Sequence, residues 1–548
     1  MMKKAIKKLL AALLAVAMLC AMAIPAFAGT EGDITTWHSF SAFQIFKGDV
    51  EGNDIKDFKI SNVTWGSNIA DNPAAFLDQL KADSTLGTQF HFIDATDANT
   101  AQKVLEVISK WDDSDANSIA FARFVCHYLY PDANAKPKPA VEGGGGSDHI
   151  HFDEAGYYLV VDTTPFNPGD IDHAYNSFLL MVTHANWNVP ITPKAEKPTV
   201  EKEVHDNDNN DISSAGNNDG WGSSADHAIN EKFQFRLIAK LPKSSDRAYD
   251  YYDKYSVIFH DTLSDGITYD KDDNLDNVVI ESNGKTYNIP KDSLKYTIDT
   301  TDLVSQNSFV VNIPDVKTCV EDPEFNLNNG ATITVTYTAH LNETAYVNTA
   351  SSDTKNNNSV YLQYSNNPIN TSVGQTPESK VCVYTYQLNN TKYHDDDTPG
   401  HELAGAGFRL YSGKDCTKEQ EIKLKKNTTD GTYSPYFGTD AGDEMISDNK
   451  GQFNVKGLDA GTYYLRETKT PDDYSACPDK EIVISATHDV NHVSLSGNLS
   501  TTIINKKAGG ITLPSTGGIG TTLFYVVGGG LMVAAIVLLV TKKRMENK

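Results

Sequence analysis

The stretch FNVKGLDAGTYYLRETKTPDDY, Phe453 to Tyr474, decides how the last third of the chain folds. QFNVKGL and GTYYLRET have strand composition, and the Asp459-Ala460-Gly461 step between them is turn-forming. Working outward, the style repeats: VYTYQLNNTKY and GAGFRLYSG come before, STTIINK after, with turn residues between. Residues 373–507 therefore read as one β-sandwich of the immunoglobulin-like kind.

The region before it, residues 196–372, is richer still in strand signals. FQFRLIAKLP, KYSVIFHDTL, NSFVVNIP, ATITVTYTAHL and NSVYLQYSN alternate or run apolar, separated by Asn, Asp and Gly clusters. This too reads as a β-sandwich. Residues 29–195 mix FQIFKGDV and GYYLVVDTTP, which read as strands, with NPAAFLDQLKA, TAQKVLEVISKW and ANSIAFARFVCHYLY, which read as helices. KPKPAVEGGGGSD is a loop by composition. The fold class is thus mostly β, in tandem sandwich domains, the N-terminal one with added helices.

The two ends are different in kind. Residues 1–28 place Lys3, Lys4, Lys7 and Lys8 before an apolar run that closes on Ala26-Phe27-Ala28, a secretory signal peptide. The alternative, a retained anchor, is disfavoured by Pro25 and the small-residue exit. Residues 518–541 are apolar enough for a membrane-spanning helix, and the tail 542–548 opens with Lys542, Lys543 and Arg544, which places the rest of the chain outside the cell. Between sandwich and span, in the linker 508–517, stands Leu513-Pro514-Ser515-Thr516-Gly517.

The chain has 548 residues and a net charge of -25, which argues against nucleic acid or anionic lipid as partner. Of its six cysteines, Cys20 leaves with the signal peptide, and the other five have no motif spacing. Neither a disulfide framework nor a zinc motif follows. A secreted chain without disulfides invites the search for another cross-link.

LPSTG, an apolar helix and a basic tail, in that order, resemble the cell-wall sorting signal of Gram-positive surface proteins. The resemblance implies that a sortase cysteine attacks the Thr516 carbonyl and releases Gly517 onward. The last sandwich resembles the Cna-B domain of Gram-positive adhesins and pilins. The matching pieces are Lys392 on the first strand, L-x-G-A-x-F-x-L at Leu403 to Leu410, G-x-Y-x-L-x-E-x-x-x-P-x-x-Y at Gly461 to Tyr474, and Asn505 on the last strand. In that family the Lys and Asn side chains join in an isopeptide bond, assisted by the glutamate, here Glu467. Taken singly, each of the three residues reads as a surface residue.

The chemistry stands on its own terms. Burial strips a lysine of hydration and lowers its pKa, making a nucleophile. A carboxyl kept neutral by the same burial can hydrogen-bond the Asn carbonyl and shuttle protons. The amine attacks, ammonia leaves, and contact distance supplies most of the rate. The reaction happens once per molecule, so the chain processes itself and is no enzyme.

KPTVEKEV, SVIFHDTLSDGITY and KNNNSVYLQYSNNP place Lys202, Asp261 and Asn358 in a parallel set. They resemble the middle domain of backbone pilins, with Asn358 preferred to Asn357 by its phase. Asp261 reads alternatively as a turn-capping carboxylate. WNVPITPKAEKPTV resembles the pilin motif whose lysine accepts the next subunit. Lys194 is the acceptor this implies; Lys197 competes with it, and the plain reading of either is an exposed linker lysine. Lys47 has no evident partner and is read as structural.

Together these features resemble the sortase-assembled backbone (major) pilins, SpaA/FimA-like, with sandwiches of Cna-B/IgG-rev type. The resemblance implies as partners sortase, identical pilin subunits, minor pilins and peptidoglycan, with no cofactor. The rival is a monomeric wall-anchored adhesin or pilus-base subunit. HDNDNND, His205 to Asp211, loosely resembles a calcium loop but lacks the Gly and Glu of an EF-hand, so it reads as a solvated hairpin loop. His149, His151, Asp153 and Glu154 fix no third ligand, and no metal site follows from them.

Overall fold

A computed structural model describes residues 39–508, apart from 53–58, 112–115, 132–134, 143–148, 164–178, 186, 191–196, 207–219, 245–246, 271–276, 354, 370–371 and 498. The signal peptide, Lys194, the LPSTG word, the expected span and the basic tail lie outside the described residues. Among those described, no helix is long and apolar enough to cross a membrane.

In the first domain, strands Lys59–Trp65, Phe40–Glu51, Gly156–Asp162 and Leu179–Thr183 pair in that order. Helices Pro73–Ala82, Thr100–Ile108 and Ala116–Leu129 pack on this sheet through a common core. Sequence explains their starts and faces. Asn72 caps the first helix by accepting from the Ala75 N–H, with Pro73 at the first position. Ala101, Val104, Leu105 and Ile108 make the buried stripe of the second. Lys47 is half-exposed and pairs with Glu154 at 2.9 Å.

The middle domain is two packed sheets. One runs Ser224–Asp226, Ser379–Tyr384, Asn357–Ser365, Val257–Leu263, Ser308–Ile313 and Thr297–Asp299. The other runs Lys285–Ile289, Asn277–Ser282, Ala331–Leu341, Lys232–Leu241, Thr199–His205 and Trp221–Gly222. Period-2 alternation sends Val257, Phe259 and Leu263 inward from one sheet, and Ile333, Val335, Tyr337 and Ala339 from the other. The expected boundary between residues 372 and 373 needs correction. Val373–Gln375 and Ser379–Tyr384 pair with Asn357–Ser365, so by pairing they belong to the middle sheet. VYTYQLNNTKY is two strands, separated at buried Thr385, whose hydroxyl bonds the Leu458 carbonyl at 3.1 Å.

The last sandwich opposes Gly407–Tyr411, Gly461–Lys469, Lys480–His488 and His492–Gly497 to Val455–Leu458, Tyr386–His394 and Ser500–Lys507. Its first strand, Tyr386–His394, and its last, Ser500–Lys507, are parallel neighbours, with Lys392 opposite Ile503 and His394 opposite Asn505. The Lys392 backbone is clamped on both sides. Its N–H donates to the Gly451 carbonyl at 2.8 Å, and its carbonyl accepts from Leu403 at 2.9 Å. Gly451 has a φ of +71°, and a Cβ there would lie 2.3 Å from the Lys392 oxygen, so glycine is required.

Candidate functional site

Two buried clusters share a construction: a lysine, a carboxyl and an asparagine standing in the apolar phase of a strand. In Tyr386–His394 the inward positions are Tyr386, Leu388, Asn390 and Lys392; in Ser500–Lys507 they are Thr501, Ile503 and Asn505. The period that buries the hydrophobes therefore buries Lys392 and Asn505 as well.

Lys392 Nζ lies 2.5 Å from Asn505 Oδ1. Glu467 comes from the facing sheet, its side chain without exposed surface, and its Oε1 is 3.5 Å from Lys392 Nζ. The same oxygen accepts from Asn505 Nδ2 at 2.7 Å. Glu467 Oε2 is held by the Cys477 N–H at 2.9 Å and the Thr470 hydroxyl at 3.4 Å. The sequence reading set the carboxyl against the asparagine carbonyl. It meets the amide nitrogen instead, because lysine occupies the oxygen side. The carboxyl is thus in contact with the nitrogen that would leave as ammonia. The Phe408 ring, stacked on Phe453, lies 5.4 Å from Lys392 Nζ and keeps the site dry. Burial pushes the Lys392 amine below its ordinary pKa, against the opposing pull of Cys477 and Glu467.

The middle cluster is built between sheets. Lys202 projects from Thr199–His205 in one sheet; Asp261 and Asn358 project from Val257–Leu263 and Asn357–Ser365 in the other. Lys202 Nζ contacts Asp261 Oδ2, and neither side chain has exposed surface. Asp261 sits in phase with Phe259 and Leu263 inside the core, which excludes the turn-capping reading. Burial pushes the lysine down to about 8 and the carboxyl up, both towards the neutral forms that amide chemistry needs.

Tyr337 was not singled out from the sequence. Its hydroxyl donates to Asp261 Oδ1 at 2.9 Å and accepts from Lys202 Nζ at 3.2 Å and Asn358 Nδ2 at 2.6 Å. The one available signal was ATITVTYTAHL, whose alternation points Tyr337 inward, but a tyrosine in that phase reads as core. The hydroxyl links all three partners. Tyr337→Phe keeps the ring contacts with Phe235 and Phe309. We expect it to slow bond formation about 100-fold, the scale of one proton-transfer group, measured as the linked fraction by mass spectrometry after refolding.

Of the remaining expected sites, Lys194 and Leu513 to Gly517 lie outside the described residues. Lys197 stands just before the opening strand of the middle domain.

Comparison with known proteins bears on this geometry. Residues 389–498 match the SpaA prealbumin-like fold domain. The third domain is a SpaA-type domain. Residues 505–547 match the LPXTG cell wall anchor motif, and the chain is a secreted, wall-anchored protein. Asn505, on the last strand of the sandwich, lies past the end of the first match and is the first residue of the second. No curated protein matches the chain. Solved structures give likenesses over longer spans. The T6 backbone pilin of Streptococcus pyogenes is 15% identical with a TM-score of 0.46, covering 87% of this chain and 97% of its own. The full-length major pilin SpaD of Corynebacterium diphtheriae is 16% identical with a TM-score of 0.38, covering 89% and 95%. The C-terminal fragment of the major pilin GBS80 of Streptococcus agalactiae is 23% identical with a TM-score of 0.37, covering 57% and 100%.

Proposed function

We propose that the protein is the structural backbone subunit of a covalently polymerised, sortase-assembled pilus on the Gram-positive cell wall. The observation that carries this reading is a wall anchor joined directly to a SpaA-type domain. Buried lysine–asparagine clusters in both sandwiches support it. In this reading the chain is a sortase substrate and no enzyme.

The chemistry balances at each step. The sortase thiolate attacks the Thr516 carbonyl, the Thr516–Gly517 bond breaks, and the Gly517 segment leaves as an amine. Lys194 Nζ of another subunit attacks the thioester, forms an amide and returns the thiol. Repetition builds the fibre, and a peptidoglycan amine ends it. Minor pilins join by the same exchange. Within each subunit, Lys392 Nζ attacks Asn505 Cγ, and Lys202 Nζ attacks Asn358 Cγ. Each reaction releases one ammonia, with Glu467 or Asp261 moving the proton.

The test is the wall fraction on a denaturing gel. An SDS-resistant ladder is expected. Lys194→Ala should collapse it to a single band, while Lys197→Ala leaves it intact. A single band from the unaltered protein sinks the proposal in favour of a monomeric adhesin or pilus-base subunit.

A further inference from the structure

A third buried polar cluster lies at the junction of the middle sandwich and the SpaA-type domain. Two contacts fix the junction. Ile229 N–H donates to the Gly457 carbonyl at 2.9 Å, and Tyr384 OH donates to the Asp489 carbonyl at 2.9 Å. Gly457 has a φ of +81°, and a Cβ there would meet Ile229 at 2.5 Å, so the two domains close on each other without a gap.

Asp206, Asp226 and His488 meet inside this junction, exposed by only 1%, 1% and 2%. Each offers one ligand atom, and these lie within 4.8 Å of one another. His488 Nδ1 is engaged by Ser224 Oγ at 2.8 Å, which leaves Nε2 facing Asp226 Oδ1 at 3.8 Å. Among the described residues, neither oxygen of Asp226 has a hydrogen-bond partner at ordinary geometry, and the groups that act on it most closely are the His488 imidazole and the Tyr386 hydroxyl. A carboxylate so buried is costly unless a cation meets it. The groups around it do not balance. Asp206 and Asp226 face His488 and His227, but His227 has its Nε2 on the His205 carbonyl at 2.7 Å and its Nδ1 facing Glu231 at 3.8 Å. Acids outnumber the cations that two imidazoles can supply. Asp206 is the second residue of HDNDNND; the sequence reading left it in a solvated loop, and it is buried instead.

We propose that Asp206, Asp226 and His488 bind one divalent transition-metal cation of the zinc class, pinning the two domains together. Two carboxylates and a neutral imidazole offset a double positive charge. The mixed oxygen and nitrogen donors favour zinc-like ions over calcium, which takes six or more oxygens. Donors about 2.1 Å from such an ion stand about 3.4 Å apart in tetrahedral geometry, so small rotations close the present spacing. Ser224 orients the imidazole, the usual part of an outer partner.

The test is calorimetric titration of the chelator-stripped protein, all three domains present, with Zn2+, Ca2+ and Mg2+ in separate runs. One Zn2+ per chain is expected, with binding lost in Asp226→Asn and His488→Gln and weakened about 10-fold in Ser224→Ala. Zn2+ binding that survives both ligand variants, or that Glu231→Gln removes instead, overturns the proposal. So does tighter binding of Ca2+ or Mg2+. Should the variants lose their native circular dichroism, X-ray absorption at the zinc edge of the unaltered protein decides. One imidazole with carboxylate oxygens sustains the site; a shell without imidazole ends it.

Discussion

The intact protein is expected to weigh two ammonia masses less than its sequence formula, and Lys392→Ala to restore one of them. The expectation rests on a geometry that leaves the lysine little else to do. Its amine lies 2.5 Å from Asn505 Oδ1 in a dry core, depressed in basicity, with Glu467 on the amide nitrogen. The two residues are 113 positions apart. Closing a ring of that size removes about 5 kcal/mol of unfolded-state entropy on the chain-entropy account of cross-links. Lys392→Ala should therefore lower the stability of the SpaA-type domain by about this amount, read as an earlier denaturant midpoint for that domain. It should also speed migration changes on denaturing gels and open the domain to trypsin. Full formula mass in the unaltered protein would remove the basis of the argument.

Lys202→Ala is expected to restore the second ammonia mass and to weaken the middle domain on the same scale, about 5 kcal/mol. Here the carboxyl can be tested apart from the nucleophile. Asp261→Asn leaves Lys202 and Asn358 in place but takes away the group that contacts the amine. It should also carry the extra ammonia, and Lys202→Ala added to it should change the mass deficit no further. If Asp261→Asn still links fully, the carboxyl has no part in the chemistry. Lys202→Ala combined with Lys392→Ala should bring the mass to the sequence formula.

Much of both clusters was legible because strands advertise their phase. In VIFHDTL, Asp261 falls in step with Val257, Phe259 and Leu263. In TTIINKK, Asn505 falls in step with Thr501 and Ile503. A charged or amide side chain in an apolar phase either has a partner or costs stability, so such a position carries information. Tyr337 carries none, because a tyrosine in a core phase breaks no rule. The domain boundary slipped because Val381–Tyr384 and Tyr386–His394 are both apolar-phased, and only buried Thr385 parts them. The meeting of Asp206 and Asp226 with His488 was out of reach for a different reason. It depends on how two domains dock, and nothing local in the chain encodes a contact over 264 residues such as Ser224 with His488.

The parallel pairing of Tyr386–His394 with Ser500–Lys507 has a mechanical consequence. Tension along a fibre enters the SpaA-type domain through its first strand and leaves through its last. The proposed bond from Lys392 to Asn505 would join those strands directly, so that the load would cross at one amide and bypass the 113-residue loop. At about 3.5 Å per extended residue, roughly 400 Å of slack is locked out of reach, and stretching would find an almost inextensible link where an ordinary sandwich would unravel.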